Sequence, residues 1–312
     1  ELEASLPYEY IQEKVAAGIP VSLQYSAFVD NEMMMVMFAD AVEEVCNEYG
    51  IEFTKVHAGG DVSTQISQIE NFITMDTNII FVAPADGSVI KETVEAAQDA
   101  GIAVIVYGCP DASYAVSTFA DQWTKGYMTA EMMYEYFARE NADAEAGSEN
   151  IALLVTKAIT PMQQQYQGIV DSINSHEEFV ISYEFDGIED VISSGFDACQ
   201  NALTSDPTIR YILCQTQIPA VGVCNYISSI PDVDMTEYAV FTSNEDETTI
   251  ELEELTLQGE SCLRGTVTAD RTDAEYIRDV TKMVVENEIF KDYTLMFTLA
   301  AIPVGWDFEY TD

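Results

Sequence analysis

The sequence predicts an α/β protein made of two doubly wound parallel-sheet domains. Two short apolar runs, Ile79–Ala83 and Ala103–Tyr107, are rich in β-forming residues, as is typical of strands buried on both faces of a parallel sheet. Between these runs lies a segment with helical periodicity, which Ser88 is expected to cap and Gly101 to end. Its inward face is predicted to comprise Val89, Thr93, Val94, Ala97 and Ala100. Such a strand–helix–strand unit implies a right-handed crossover between parallel strands.

The same alternation continues along the chain on both sides of this unit. The predicted strands are 21–25, 51–56, 79–83, 103–107, 115–119, 151–156, 180–185, 209–214, 240–242 and 263–268, with extended chain at 295–304. The predicted helices are 7–17, 33–49, 66–75, the segment between Ser88 and Gly101, 123–139, 162–174, 191–204, 218–229, 248–257 and 272–287. The second helix is predicted to face inward with Met34, Met37, Phe38, Ala41, Val42 and Val45.

The alternation of strands and helices is interrupted once, at residues 141–150. This segment is acidic, consists of small residues and has no apolar periodicity. One set of β-α repeats therefore runs to about residue 119, and a second begins near residue 151. This indicates two α/β domains in tandem. Open sheets of this kind bind ligands beyond the carboxyl ends of their strands.

Composition excludes several classes of partner. The chain has 312 residues, 55 acidic and 12 basic, and a formal net charge of −43. This charge argues against binding to nucleic acid or to anionic lipid, because both need Lys and Arg. A solvated acidic surface explains it better than an acidic site for a cationic ligand. No apolar run has the length of a membrane-spanning helix. Glu1 opens directly into polar sequence, which suits a mature exported protein and a cytosolic one equally.

Cysteine and histidine spacing does not indicate a metal site. The six cysteines contain no C-x-x-C pair, and the two histidines, His57 and His176, stand far apart in the sequence. Most of the cysteines are expected to be small buried hydrophobic residues, and nothing in their spacing requires disulfides. The chain also lacks a G-x-S-x-G elbow, a Walker loop and a G-x-G-x-x-G fingerprint. We therefore expect neither a cofactor nor enzymatic activity.

Short motifs recur in a fixed order along the chain. The first half contains VDNEM at 29–33, SQIENFI at 67–73, AAQDAGIAVIVYG at 96–108 and ADQ at 120–122. The second half contains QGI at 167–169, QNAL at 200–203 and CQTQ at 214–217. In this order the motifs resemble the type I periplasmic binding proteins, in particular the ribose and galactose branch of ABC importer receptors.

The resemblance implies a hinge of three strands between the domains. The crossings are expected near 119–121, 268–270 and 298–301. The N-terminal lobe would comprise residues 1–120 plus 270–298, and the C-terminal lobe residues 121–269 plus 299–312.

The implied function is that of an extracytoplasmic solute-binding protein. It would capture a small polar ligand, a sugar or sugar derivative, in the cleft between the domains and deliver it to an ABC permease in the membrane. The protein would be a monomer, located in the periplasm or at the cell surface as a lipoprotein. Two alternatives stay open: a sensor that presents its ligand to a membrane receptor, and an enzyme on a similar two-domain frame.

Positions that read the sugar in this branch are changed here. Gly108-Cys109-Pro110 stands where the ribose branch carries an Asp-Arg pair, and Gln163 stands in place of an arginine. Ser243 or Asn244 replaces an aspartate, so the sequence does not name the ligand. The candidate ligand-binding residues at strand ends are Phe28, Asp30, Asn31, Glu32, Asp86, Cys109, Trp123, Lys157, Gln163, Asp190, Thr216, Gln217, Ser243, Asn244 and Asp270. Asp121 is expected to cap a helix instead, and Gln165 is a further polar candidate.

Overall fold

The computed structural model describes residues 8–30, 33–84, 87–108, 115–158, 160–289 and 292–308. The strands are β1 (Ser22–Ala27), β2 (Glu52–His57), β3 (Ile79–Ala83), β4 (Ala103–Tyr107), β5 (Val116–Phe119), β6 (Glu149–Val155), β7 (Phe179–Asp186), β8 (Tyr211–Cys214), β9 (Ala239–Ser243), β10 (Leu263–Ala269), β11 (Thr294–Met296) and β12 (Leu299–Pro303). The helices are α1 (Glu9–Ala16), α2 (Met33–Tyr49), α3 (Val62–Thr74), α4 (Gly87–Asp99), α5 (Gln122–Ala138), α6 (Thr160–Ile173), α7 (Ile192–Ser205), α8 (Gln217–Ser228), α9 (Glu247–Leu257) and α10 (Asp273–Val285).

The chain divides into two compact units. The N-terminal unit is Glu1–Ala120 with Arg271–Thr298, and the C-terminal unit is Asp121–Asp270 with Leu299–Asp312. None of the described helices combines the length and the apolar character that crossing a bilayer requires.

The N-terminal unit is built on a six-stranded parallel sheet in the order β11-β5-β4-β3-β1-β2. Apolar side chains cover both faces of this sheet, so β3 and all but the last residue of β4 are fully buried. The two apolar runs Ile79–Ala83 and Ala103–Tyr107 are thus central strands, as predicted.

The C-terminal unit has a second six-stranded sheet in the order β12-β10-β9-β8-β6-β7. Five strands are parallel, and β12 pairs antiparallel with β10. This edge strand departs from the all-parallel sheet predicted from sequence, because it reaches the sheet without a crossover helix. The doubly wound α/β class is confirmed in both units.

Side-chain caps fix where several helices begin. The Asp121 carboxylate accepts a hydrogen bond from the backbone N–H of Thr124 at 3.1 Å, which confirms the predicted cap of α5. Asp61 caps α3 in the same way through Thr64. By contrast, α4 begins at Gly87, so the prediction that Ser88 caps this helix is wrong.

Two helix pairs of the C-terminal unit pack through glycines. A Cβ atom at Gly126 of α5 would lie 2.0 Å from the backbone oxygen of Gln165 on α6, and one at Gly168 would lie 2.0 Å from that of Trp123. Gly195 and Gly222 play the same role between α7 and α8. The backbones of these helices lie so close together that only glycine, which has no Cβ atom, fits at these positions.

The predicted inward faces of two N-terminal helices are partly wrong. In α2, Met34 and Met37 are 38% and 42% exposed, whereas Met35 is buried with Phe38 and Val42. In α4, Val89 is 49% exposed and its neighbour Ile90 is buried. Because neighbouring residues are equally apolar, the sequence did not show which of them faces the sheet. In the structure Met35 and Ile90 pack inward.

Candidate functional site

The loop after β1 carries the first candidate residues of the N-terminal unit. The backbone N–H of Phe28 donates to the Ala83 carbonyl at the end of β3, which ties this loop to the carboxyl edge of the sheet. Phe28 is half-buried, and Asp30 is exposed. The Asp30 carboxylate lies 3.3 Å from Nε2 of His57, at the end of β2. Both residues therefore lie at the sheet edge where open α/β sheets bind ligands.

A cavity of about 340 Å³ lies between α2 and the edge strand β2. Its walls include Met35, Val36 and Ala39 from the helix, and its polar lining comes from Asp30, Lys55 and His57. The cavity belongs wholly to the N-terminal unit. It brings Asp30 together with an apolar surface of the kind that small-molecule sites use.

Tyr107, the last residue of β4, is a polar group at the same edge that the sequence did not single out. Its hydroxyl donates to the Asp273 carboxylate in the first turn of α10. Burial, together with this carboxylate, raises the pKa of Tyr107 well above its usual value. The hydroxyl thus stays protonated and holds the start of α10 against the end of β4.

In the C-terminal unit, Asn244 follows β9 and joins two other side chains. Its side-chain oxygen accepts a hydrogen bond from Nζ of Lys125 at 2.8 Å, and its amide nitrogen donates to Oε1 of Gln217 at 3.3 Å. Lys125 is only 7% exposed. Asn244 has a φ of +68°, a left-handed conformation that asparagine tolerates better than most residues.

Two further candidates continue this set of polar side chains. The Thr216 hydroxyl, between β8 and α8, donates to the Asp190 carboxylate at 3.3 Å. Asp190 lies in the segment after β7. The structure thus places Asp190, Thr216, Gln217 and Asn244 at the carboxyl ends of β7, β8 and β9. We call these four residues the edge cluster.

A buried hydrogen-bond network lies next to the edge cluster. The side-chain amide of Gln165 donates to Oγ of Ser243 at 2.8 Å and to the carbonyl of Gln215 at 3.1 Å. Oγ of Ser243 also lies 3.0 Å from the Thr129 hydroxyl. Gln165, Gln215 and Ser243 are each at most 1% exposed. Ser243 therefore uses its hydroxyl inside the protein, where it positions the start of the loop that contains Asn244.

Lys157 is engaged with acidic side chains of the edge strand β7. Its ammonium lies 2.6 Å from Glu184 and 3.8 Å from Asp186, and 3.9 Å from the centre of the Tyr166 ring. The hydrogen bond to Glu184 raises the pKa of Lys157. Gln163 donates its side-chain amide to the Lys157 carbonyl at 2.9 Å. Two carboxylates therefore compensate the charge of this cation, so the position does not favour an anionic ligand.

The remaining candidates fall in three places. The Trp123 indole donates to Asp171 on α6 at 2.9 Å and stacks on Tyr127, so it contacts the neighbouring helix. Asp270 is exposed directly after β10. Asn31, Glu32, Asp86 and Cys109 lie outside the described residues.

The described part of the chain does not present a cluster of side chains that could bind a metal ion. Among those residues, no group of three or more His, Cys, Asp or Glu side chains is arranged to hold a metal ion. The polar groups of the edge cluster are two amides, a hydroxyl and a carboxylate. Such groups suit paired hydrogen bonds to a polyol.

Sequence reasoning missed Lys125, Tyr107 and Gln215. Tyr107 and Gln215 lie at or next to a strand end, and Lys125 lies in the first turn of α5. A tyrosine at the end of an apolar run and a lysine inside an amphipathic helix look like ordinary structural residues. Gln215 is part of the CQTQ motif, and the structure shows its side chain bonded to the backbone of Thr156 and Met162.

Comparisons with known proteins agree with this architecture. The family model for the periplasmic binding protein domain matches residues 26–246, more than half of the chain. The ribose import binding protein of Bacillus subtilis is 24% identical over 210 residues, which cover 56% of this chain and 69% of that protein.

Solved structures show the same fold over nearly the whole chain. A periplasmic ribose ABC transporter protein from Conexibacter woesei superposes with a TM-score of 0.69 at 16% identity, covering 91% of this chain and 92% of that one. A carbohydrate transporter solute-binding protein from Agrobacterium radiobacter, solved with D-arabinose, gives 0.67 at 14% identity, covering 91% and 94%. At these identities the structures establish the fold. The chain belongs to the periplasmic binding protein domain family, because the model of that family matches more than half of it.

Proposed function

We propose that this protein is the extracytoplasmic sugar-binding component of an ABC importer. The observation that carries the proposal is the edge cluster, which collects an aspartate, a threonine, a glutamine and an asparagine at the carboxyl ends of three strands. Carboxylate and amide groups pair with adjacent hydroxyls of a sugar, and open α/β sheets bind their ligands at this edge. The family membership and the sugar-related names of the matched relatives support the same assignment.

The ligand is a neutral monosaccharide or a close derivative. Phe28 offers an apolar ring and Asp30 a carboxylate at the carboxyl edge of the sheet in the N-terminal unit, and we assign both residues to ligand binding. Lys157 is paired with Glu184 and Asp186, so a negatively charged sugar gains little there. The departures at Gln163 and Asn244 leave the particular sugar open to experiment.

The remaining parts of the assignment follow from the family. We propose a location outside the cytoplasm, by export or as a lipid-anchored protein, a monomeric state, and a membrane permease that receives the ligand. The protein binds the sugar and does not transform it.

A ligand screen tests the proposal. The purified protein is melted in the presence of a panel of pentoses, hexoses and their furanose forms, with amino acids and polyamines as other classes. A ligand at about 100 times its dissociation constant stabilises the folded state by about 2.7 kcal/mol. Calorimetry then gives the affinity, and recovery of the unchanged sugar shows that no reaction occurs.

Variants connect the binding to the edge cluster. Gln217→Ala and Asp190→Asn are expected to weaken sugar binding at least tenfold, because a hydroxyl partner would be left without its acceptor or donor. Gln200→Ala, at an exposed position of α7, is the matched control. Equal affinity in all three variants would exclude the edge cluster as the site.

A further inference from the structure

Two cysteines of the C-terminal unit lie with their sulfur atoms in contact. Cys224 is in the middle of α8, and Cys262 immediately precedes β10. The thiol of Cys262 donates to Sγ of Cys224 at 3.8 Å. Both side chains are almost fully buried, and both are free thiols in the structure. Neither residue belongs to the sugar site proposed above.

A cationic and a polar side chain accompany this thiol pair. Arg264, which is 8% exposed, donates from Nη2 to the Met235 carbonyl at 2.7 Å. Its Nε atom and the Ser261 hydroxyl are buried without a hydrogen-bond partner among the described residues. Arg264 forms no ion pair with a carboxylate in that part of the chain either. A buried guanidinium without an acidic partner favours the nearest group that can become an anion.

The two thiols differ in acidity. The hydrogen bond from Cys262 and the Arg264 charge lower the pKa of Cys224, although burial opposes this. The bond to Cys224 and burial raise the pKa of Cys262. Burial is the main cause that raises the pKa of Cys199 and Cys214, the other two thiols of this core. Cys224 is therefore the thiol that ionises first and acts as the nucleophile.

We propose that Cys224 and Cys262 form a dithiol–disulfide pair, which a low-molecular-weight disulfide oxidises and which links α8 covalently to the start of β10. The thiolate of Cys224 attacks one sulfur of the small disulfide, forms a mixed disulfide and releases one thiolate. The Cys262 thiolate then attacks Sγ of Cys224 and releases the second thiolate. The protein loses two protons and two electrons, and the small disulfide becomes two thiols.

Burial controls when this reaction takes place. The small disulfide reaches neither sulfur in the native core, so oxidation occurs during folding or through local opening of α8. The link closes a loop between positions 38 residues apart, which restricts the unfolded chain. The melting temperature of the oxidised protein is expected to rise by roughly 4–16 °C. Sugar affinity stays unchanged, because the link lies away from the edge cluster.

Mass spectrometry of the whole protein tests the proposal. The denatured protein is refolded with reduced and oxidised glutathione, quenched with acid, denatured again and alkylated without reductant. The expected product carries four alkyl groups on its six cysteines and is about 2 Da lighter before alkylation, because two hydrogens are lost. Digestion is expected to yield one cross-linked peptide that joins Cys224 to Cys262.

Variants locate the link. Cys224→Ala and Cys262→Ala should each restore alkylation of all five remaining cysteines, whereas Cys199→Ala should keep the link. If either alanine variant folds poorly, the mass of the alkylated wild-type protein still shows whether the disulfide has formed. Six alkyl groups on oxidised wild-type protein, or a cross-link between other cysteines, would overturn the proposal.

Discussion

The ammonium group of Lys125 on α5 donates a 2.8 Å hydrogen bond to the side chain of Asn244, a residue 119 positions later in the chain. The bond anchors the loop after β9 at the edge where the sugar site is proposed. It also compensates a lysine that is almost fully buried, and burying such a charge without a partner is costly. Asn244 thus contributes in two ways: its side chain bonds to Lys125, and its backbone adopts a left-handed conformation.

Substitutions at Asn244 separate these two contributions. Asn244→Gly removes the side chain but accepts the φ of +68° without strain, and it should cost about 1–3 kcal/mol through the lost hydrogen bond from the charged Lys125. Asn244→Ala adds backbone strain and should be about 1 kcal/mol less stable than the glycine variant. Urea denaturation of the two variants measures the difference. Equal stabilities would show that the backbone conformation imposes no cost.

The close contact of α5 and α6 depends on Gly168. An alanine Cβ there would lie 2.0 Å from the Trp123 backbone oxygen, so the two helices must move apart. Gly168→Ala is expected to reduce the free energy of unfolding by at least about 2 kcal/mol. Gln164→Ala, at an exposed position of the same helix, should change it by less than about 0.5 kcal/mol. A neutral Gly168→Ala would contradict the helix geometry described above.

Glu253 of α9 makes stability depend on pH. Burial, reinforced by the Glu245 charge, raises the pKa of Glu253 from 4.5 to about 7. Between these values the folded state holds a proton that the unfolded state has lost, so this group's contribution to stability falls as pH rises from about 4.5 to about 7. Glu253→Gln has no ionisable group at this position, so its stability does not fall with pH for this reason. Relative to wild type, the variant should gain about 1–2 kcal/mol between pH 4.5 and pH 8, a figure reduced for partial solvent screening.

The control for this pH dependence is Glu254→Gln, at the next and exposed position of α9. Denaturation curves at pH 4.5, 6 and 8 give the comparison. A stability difference between Glu253→Gln and wild type that does not change with pH would mean that Glu253 ionises normally in the folded protein.

The order of strands and helices could be read from the sequence, because parallel-sheet strands are apolar runs and their crossover helices are amphipathic. The limits of α2, β3 and β4 are confirmed to the residue. The helix faces were harder to predict. Met34, Met35 and Met37 are equally apolar, and only the position of the sheet shows that Met35 is the buried one.

The candidate site was less accessible to sequence reasoning. Strand ends pointed to Thr216, Gln217 and Asn244, which the structure connects by hydrogen bonds or places at one edge. Lys125 was missed because its partner lies 119 residues away, and no local pattern marks such a contact. Lys157 was a candidate because it follows a strand, and only the fold shows that Glu184 and Asp186 lie beside it.

Calorimetric titration of the wild-type protein with the monosaccharides that raise its melting temperature tests the central claim most directly. We predict saturable binding of one sugar per chain, a weakening of at least tenfold in Gln217→Ala, and recovery of the sugar unchanged. If no monosaccharide binds while an amino acid or a polyamine does, or if the bound sugar is converted into a product, the account of this protein as a sugar-binding receptor is contradicted.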